Sequence, residues 1–256
     1  MVGKCLFCLS EGVKLVKAHI IPRSFFEVTR GSGKYAVGFV LTKETVETPY
    51  EQAGLHDEGI LGECCEPKFT EWDTYGFENL REQTILAHRA LPDAGSDRPG
   101  AFKITNLDYD TFSLFILSVL WRASVSTHIF FSNVDLGPKA ESIRQLLLAR
   151  RAPDPESYSI ILATTRDEKY RKVIPRPERG RMKNVNFYRL YFPDVFALVK
   201  VDKRTFPPPL NSVILRRVDV NYVFQFPHAH SPYKSTVQNV ARALRERRLI
   251  GKRRRS

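Results

Sequence analysis

Apolar and polar positions alternate through Val13, Leu15, Ile20 and Ile21, with Val16 between them, and Pro22 closes the run. The β-branched content predicts a strand over 13–22. From Glu66 the period lengthens. Phe69, Trp72, Phe77 and Leu80 recur at the spacing of one helix face, Pro67 suits a first turn, and Glu66 favours the positive end of a helix. Helical patterning continues over 82–91. A mostly buried helix is predicted over 108–127, with Phe112, Phe115, Ile116, Val119 and Leu120 in core spacing. Arg122 near its end suits a salt bridge, or a pair with a buried carboxylate or a phosphate. Another helix is predicted over 136–151, with Ile143, Leu146 and Leu147 inward.

The period then drops to two. Strands are predicted over 158–163, 185–191 and 195–201, with Pro193-Asp194 turning between the last two, and further strands over 213–218 and 222–226. Phe206-Pro207-Pro208-Pro209 is a stiff connector, and 233–249 is an amphipathic helix. Turn chemistry at 93–100 marks the best boundary. The division that follows is an N-terminal module over 1–92, an α+β domain over 101–249 and a basic disordered tail over 250–256. The fold class is α+β: a helical middle, then an antiparallel sheet with a terminal helix.

The 256 residues are 43% hydrophobic and 27% charged, which excludes a disordered or collagen-like chain. No apolar run reaches the ~18 residues of a membrane span. The longest, 112–120, is interrupted by Ser113 and Ser118 and soon meets Arg122. No apolar leader precedes Cys5, so a cytoplasmic protein without membrane attachment is expected. The net charge of +12 points to an acidic partner, with nucleic acid first; DNA is expected ahead of RNA, a preference that the charge itself does not set. That charge is unevenly spread. Residues 1–80 hold eight basic and twelve acidic side chains, whereas 166–189 hold nine against three and 241–256 hold eight against one. Expected contacts to nucleic acid are therefore Arg171, Lys172, Arg176, Arg179, Arg181 and Lys183, with Arg253, Arg254 and Arg255 of the tail.

The four cysteines are Cys5, Cys8, Cys64 and Cys65. Clustering at one end, without a secretion signal, favours a metal over a disulfide framework. Cys5-Leu6-Phe7-Cys8 is a CxxC knuckle, a turn in which two thiolates can meet one tetrahedral zinc. The second group is irregular: a regular knuckle ending at Cys65 needs a cysteine at position 62, which is Gly62. Cys5, Cys8 and Cys65 are three plausible ligands, and the fourth is Cys64 or His19.

The order of a CxxC knuckle, a strand ending in His19-Ile20-Ile21-Pro22, and Cys65-Glu66 opening an aromatic-rich helix resembles the zinc-containing HNH, or ββα-metal, endonucleases. It is similar to prokaryotic members with a degenerate signature, which share a Leu-Ser-x-x-Trp-Arg stretch, here Leu117 to Arg122. The resemblance covers roughly residues 1–80. It implies a treble-clef module with a structural zinc and His19 as the base that activates water against a phosphodiester. The remaining signature positions differ: Ala18 precedes the histidine, the central asparagine has no counterpart in 55–59, and Glu66 replaces the closing His or Asn. Glu66, with Asp57 or Asp73 nearby, would then hold Mg²⁺ or Mn²⁺. The expected function is an HNH-like zinc protein acting on nucleic acid, as a metal-dependent endonuclease. The alternative is a non-catalytic zinc-stabilised nucleic-acid-binding or regulatory protein.

Overall fold

The structure is a computed structural model that describes residues 1–29, 37–41, 46–47, 54–89, 100–165 and 173–226. The predicted helix over 233–249, the tail over 250–256 and the boundary region 93–99 lie outside the described residues. The chain is mixed α and β, with small N-terminal sheets, a helical middle and a larger C-terminal sheet. Among the described residues no helix is long and apolar enough to cross a membrane.

The N-terminal part is built from very short strands. β1 (Val2–Gly3) pairs antiparallel with β2 (Val13–Lys14), and β3 (Ala18–His19) pairs antiparallel with β6 (His56–Asp57). The single strand expected over 13–22 is thus two pieces. Leu15 bridges Gly62, and Val16 N–H donates to the Leu61 carbonyl at 3.0 Å, so the partner changes along the run. Between β3 and β6 lie α1 (Arg23–Thr29), β4 (Val37–Leu41) and β5 (Val46–Glu47).

Two long helices form the middle. α2 (Glu66–Arg89) starts directly after Cys65, and α3 (Tyr109–Val125) is buried along nearly its whole length. Asp108 caps α3, its side chain accepting from Asp110 N–H at 3.0 Å. The helices approach closely where α2 carries Gly76: a Cβ there would lie 2.2 Å from the Phe115 ring. Phe115 also contacts Phe25 and Phe192, so one apolar core joins the N-terminal part to the later sheet. α4 (Lys139–Leu148) packs on α3 and matches the predicted second helix.

The large sheet comprises β7 (Gly100–Thr105), β8 (Ile160–Thr165), β10 (Glu178–Met182), β11 (Val185–Tyr191), β12 (Phe196–Lys200) and β13 (Val220–Phe226), in the order β10-β11-β12-β8-β13-β7. β9 (Val173–Pro175) joins β4 and β5 instead. Every residue of β12 is buried, as expected of a strand covered on both faces. Three expectations need correction. The sheet is mixed, because β13 runs parallel to β8. The strand predicted over 213–218 is not formed: a short 3₁₀ turn at Leu210–Val213 stands ahead of β13. The basic stretch ahead of the strand predicted over 185–191, for which no strand is predicted, forms β9 and β10. β10 is held by its pairing with β11, which a search for apolar alternation does not detect in Glu-Arg-Gly-Arg-Met.

Asp57 joins the β6 turn to the end of α3. Its carboxylate accepts from Gly59 N–H at 2.8 Å, Ser126 Oγ at 2.9 Å, Thr127 N–H at 2.8 Å and Thr127 Oγ1 at 3.1 Å. Burial alone pushes this carboxyl up, but the hydrogen bonds outweigh it and hold the group below its usual range. The expected metal-facing role for Asp57 is replaced by this structural one. Its lowered value means that stability is present above the unfolded value near ~3.9 and is lost as pH falls through the native one. Asp57→Asn should cost about 1–3 kcal/mol at pH 7. In urea titrations across pH, that deficit should narrow below about pH 4.

Candidate metal centre and adjoining polar cluster

Backbone turns bring the cysteines together. Leu9 N–H donates to the Cys5 carbonyl at 2.8 Å and Cys5 N–H to the Ser10 carbonyl at 3.0 Å, with Leu9 at φ +64 closing the knuckle. On the other side, Cys65 and Glu66 N–H both donate to the Gly62 carbonyl, at 2.9 and 3.2 Å, in the turn that becomes α2. The two turns are tied by Leu6 N–H donating to the Ile60 carbonyl at 3.0 Å. Phe7, inside the knuckle, is fully buried, 4.8 Å from Phe69 and 5.4 Å from Trp121 between ring centroids. The Phe7 carbonyl accepts from Arg144 Nη1 at 2.5 Å. The knuckle is thus pinned to α2, α3 and α4.

The Sγ atoms of Cys5, Cys8 and Cys65 all lie within 4.8 Å of one another and could hold a metal ion. Tetrahedral thiolates about 2.3 Å from zinc stand about 3.8 Å apart, so the spacing fits that geometry. Cys64 is exposed and lies outside this group, although its Sγ is 3.7 Å from that of Cys65. His19 also lies outside it. Position 62 is crowded: a Cβ on Gly62 would lie 3.0 Å from Val13 Cγ2 and 3.4 Å from Cys5 Cβ. A cysteine at position 62 would therefore press on Val13 and Cys5.

The Cys8 and Cys65 thiols are shifted in opposite directions. The Ser10 hydroxyl, 3.4 Å from the Cys8 sulfur, brings that thiol down to about 6. Burial and then the adjoining sulfurs push Cys65 up. A bound cation would favour the thiolate form of its ligands.

A second polar cluster adjoins the first. β3 and β6 set His19 opposite His56, with ring centroids 6.2 Å apart, and His56 Nδ1 lies 3.0 Å from the Gly54 carbonyl. Glu66 and Asp73 stand two turns apart on α2. Arg122 of α3 is wholly buried and grips Asp73 with both Nη atoms, at 2.8 and 2.5 Å. Its Nη1 also donates to the His19 carbonyl at 2.5 Å, and its remaining donors reach the Ser118 carbonyl and hydroxyl. Burial pushes the Asp73 carboxyl up, while Arg122 and then His19 oppose that shift. Burial also raises Glu66, Arg122 opposes it and Asp73 adds to it. Among the described residues, Glu66 Oε2 is buried without a hydrogen-bond partner. Ala18 is fully buried.

Residue order alone names no particular partner for Arg122 and gives His56 no role. A two-residue strand offers no periodic signal that would place His56 across from His19. The basic residues lie elsewhere. Arg179 and Arg181 are exposed on β10 and Lys183 is exposed in the turn before β11, while Arg176 is half-buried and donates to Ser132 Oγ at 3.2 Å. Arg171, Lys172, Arg253, Arg254 and Arg255 lie outside the described residues. Comparison with family models, with curated proteins and with solved structures finds no match for this chain.

Cys5→Ser or Cys65→Ser should abolish bound metal in the purified chain and lower its melting temperature, whereas Cys64→Ser should retain metal; elemental analysis with thermal denaturation checks both. Arg122→Leu leaves a buried carboxylate unpaired and should cost about 3–5 kcal/mol in urea unfolding. Adding Asp73→Leu should recover most of that loss.

Proposed function

We propose that the protein is a zinc-stabilised, HNH-like protein that acts on nucleic acid, with His19 as the base of a metal-dependent phosphodiester hydrolysis. The observation that carries this reading is the group of three cysteine sulfurs at the start of α2, where Glu66 follows Cys65 and Arg122 ties the His19 carbonyl of β3 to Asp73 of the same helix. In this reading zinc is structural, held by Cys5, Cys8 and Cys65 with Cys64 as the adjacent sulfur. Glu66 would hold Mg²⁺ or Mn²⁺. The partnerless buried oxygen of Glu66 fits that role, because such hard cations prefer oxygen ligands. The ion would supply Lewis-acid stabilisation of charge on the phosphate. His19 would take the proton from the attacking water. Arg122 acts through the backbone: its bond to the His19 carbonyl holds β3 against α2 and α3. Basic residues of β10 and its turn supply the grip on nucleic acid, DNA ahead of RNA.

A second reading is a non-catalytic zinc-stabilised nucleic-acid-binding or regulatory protein. Two observations favour it. Asp73 is engaged by Arg122, so it is not offered to a cation, and Ala18 stands where the family pattern carries a metal ligand.

The deciding experiment is cleavage of plasmid and single-stranded oligonucleotide with Mg²⁺ or Mn²⁺, comparing wild type with His19→Ala. The hydrolase reading expects cleavage by the wild type and a loss of ~10²–10⁴-fold in the variant. Absence of cleavage by folded, metal-loaded wild type that still binds the oligonucleotide would transfer the assignment to the second reading.

A further inference from the structure

We propose that the cleft between the β10–β11 hairpin and the start of α4 seats one nucleotide unit of a single-stranded nucleic acid, with its phosphate between Lys139 and Arg179. This rests on the nucleic-acid part of the reading above and is independent of hydrolysis. The cleft has a volume of about 320 Å³, near the lower end of the range for small-ligand sites. Leu136, Tyr188 and Val201 give it an apolar floor, while Lys139, Arg179 and the Asn186 amide supply polar groups.

The two cations meet for a topological reason. Arg179 on β10 is in register with Tyr188 on β11, so the guanidinium stands on the same sheet face as the tyrosine ring. The Tyr188 hydroxyl donates to the Asp135 carbonyl at 2.5 Å and accepts from Asp135 N–H at 3.1 Å. These bonds hold the segment leading into α4 against β11 and bring Lys139 to the opposite wall. Asn186 is fixed in turn, its Nδ2 donating to Asp202 Oδ2 at 3.0 Å. The walls are therefore formed before any ligand arrives.

The charges in the cleft favour an anion. Among the described residues neither Lys139 nor Arg179 forms an ion pair. Lys139 lies 5.4 Å from the Tyr158 ring centroid, an arrangement that leaves its charge uncompensated. The carboxylate of Asp135 also lines the cleft, but its Oδ1 accepts from Gly137 N–H at 2.9 Å within its own turn.

An apolar floor beneath two cations suits a sugar and base below a phosphate better than a bare inorganic anion. A stacked duplex would not offer a base to such a floor, which selects a single strand. The strand has a path onward. Arg181 follows Arg179 on the same face of β10, about 6.8 Å along, and Lys183 lies at the hairpin turn, all three exposed. Alternation along β10 thus presents a row of cations leading away from the cleft.

The test is fluorescence anisotropy of labelled oligo-dT and oligo-U with the full chain, without added Mg²⁺ or Mn²⁺, over a salt series. The variants are Arg179→Gln, Lys139→Gln and the double variant, with Arg151→Gln as an equal charge change outside the cleft. The double variant should bind at least tenfold more weakly, and its salt slope should fall by roughly 0.7 for each phosphate that is no longer neutralised. Arg151→Gln should stay within about twofold of wild type. Arg179 is exposed on an edge strand, so the single Arg179→Gln variant carries the test if the double variant unfolds. Unchanged affinity and slope in the cleft variants, or an equal loss in Arg151→Gln, would overturn the cleft while leaving the nucleic-acid reading in place. Wild type that binds neither oligonucleotide would overturn both. Displacement of the oligonucleotide by inorganic phosphate as readily as by a mononucleotide would show an anion site without a nucleotide seat, and overturn the assignment.

Discussion

The ion pair between Arg122 and Asp73 is the constraint on which the N-terminal half depends. A guanidinium with no exposed surface is tolerable only if every donor is paired, because an unpaired buried charge costs several kcal/mol. Here Asp73, the His19 carbonyl and Ser118 satisfy it together. The partners come from α2, β3 and α3, so satisfying one side chain fixes three elements. Phe69 contributes a ring 5.1 Å from the guanidinium, which adds cation–π contact to the enclosure. Any chemistry at His19 inherits its backbone position from this arrangement.

The sulfur group is positioned by packing as much as by its own turns. Phe7 lies inside the CxxC knuckle and enters an aromatic cluster with Phe69 and Trp121. Arg144, paired to Glu141 by two short bonds, holds the Phe7 carbonyl from α4. The knuckle is therefore attached to helices that come much later in the chain. A metal bound there would join the start of the chain to α2, and the surrounding apolar core would limit how far the three sulfurs could separate on its removal.

The charge distribution separates two tasks. The N-terminal part is acidic in sum and holds His19, His56 and Glu66, whereas Arg179, Arg181 and Lys183 are exposed on β10 and its turn. Screening over about 8–10 Å makes local charge count for more than the total of the chain. Strand alternation directs Arg179 and Arg181 to one face, and the Tyr188 hydroxyl bonds bring α4 alongside them. Basic composition alone would mark the segment as a solvated loop.

Much of this protein is legible in residue order. The long helices follow from apolar spacing, α3 especially, and the late strands from period-two patterning. The proximity of Cys5, Cys8 and Cys65 follows from the CxxC turn and the place of Cys65 ahead of a helix, and the irregularity at Gly62 is visible as well. Other features have no local signal. β10 is a strand because β11 pairs with it, β13 is parallel to β8 because of the path between them, and His56 meets His19 through a two-residue bridge. Residue order offers Asp57 as a cation ligand, yet the approach of the α3 terminus makes it a structural acceptor. Arg122 makes the division clearest: its sequence position announces a charge in an apolar helix, but only the packing of α2 and β3 supplies the partners. Sequence determines periodicity and turn chemistry because those act between near neighbours. Tertiary structure decides which distant groups neutralise a buried charge, because that energy exists only once water has been excluded from both.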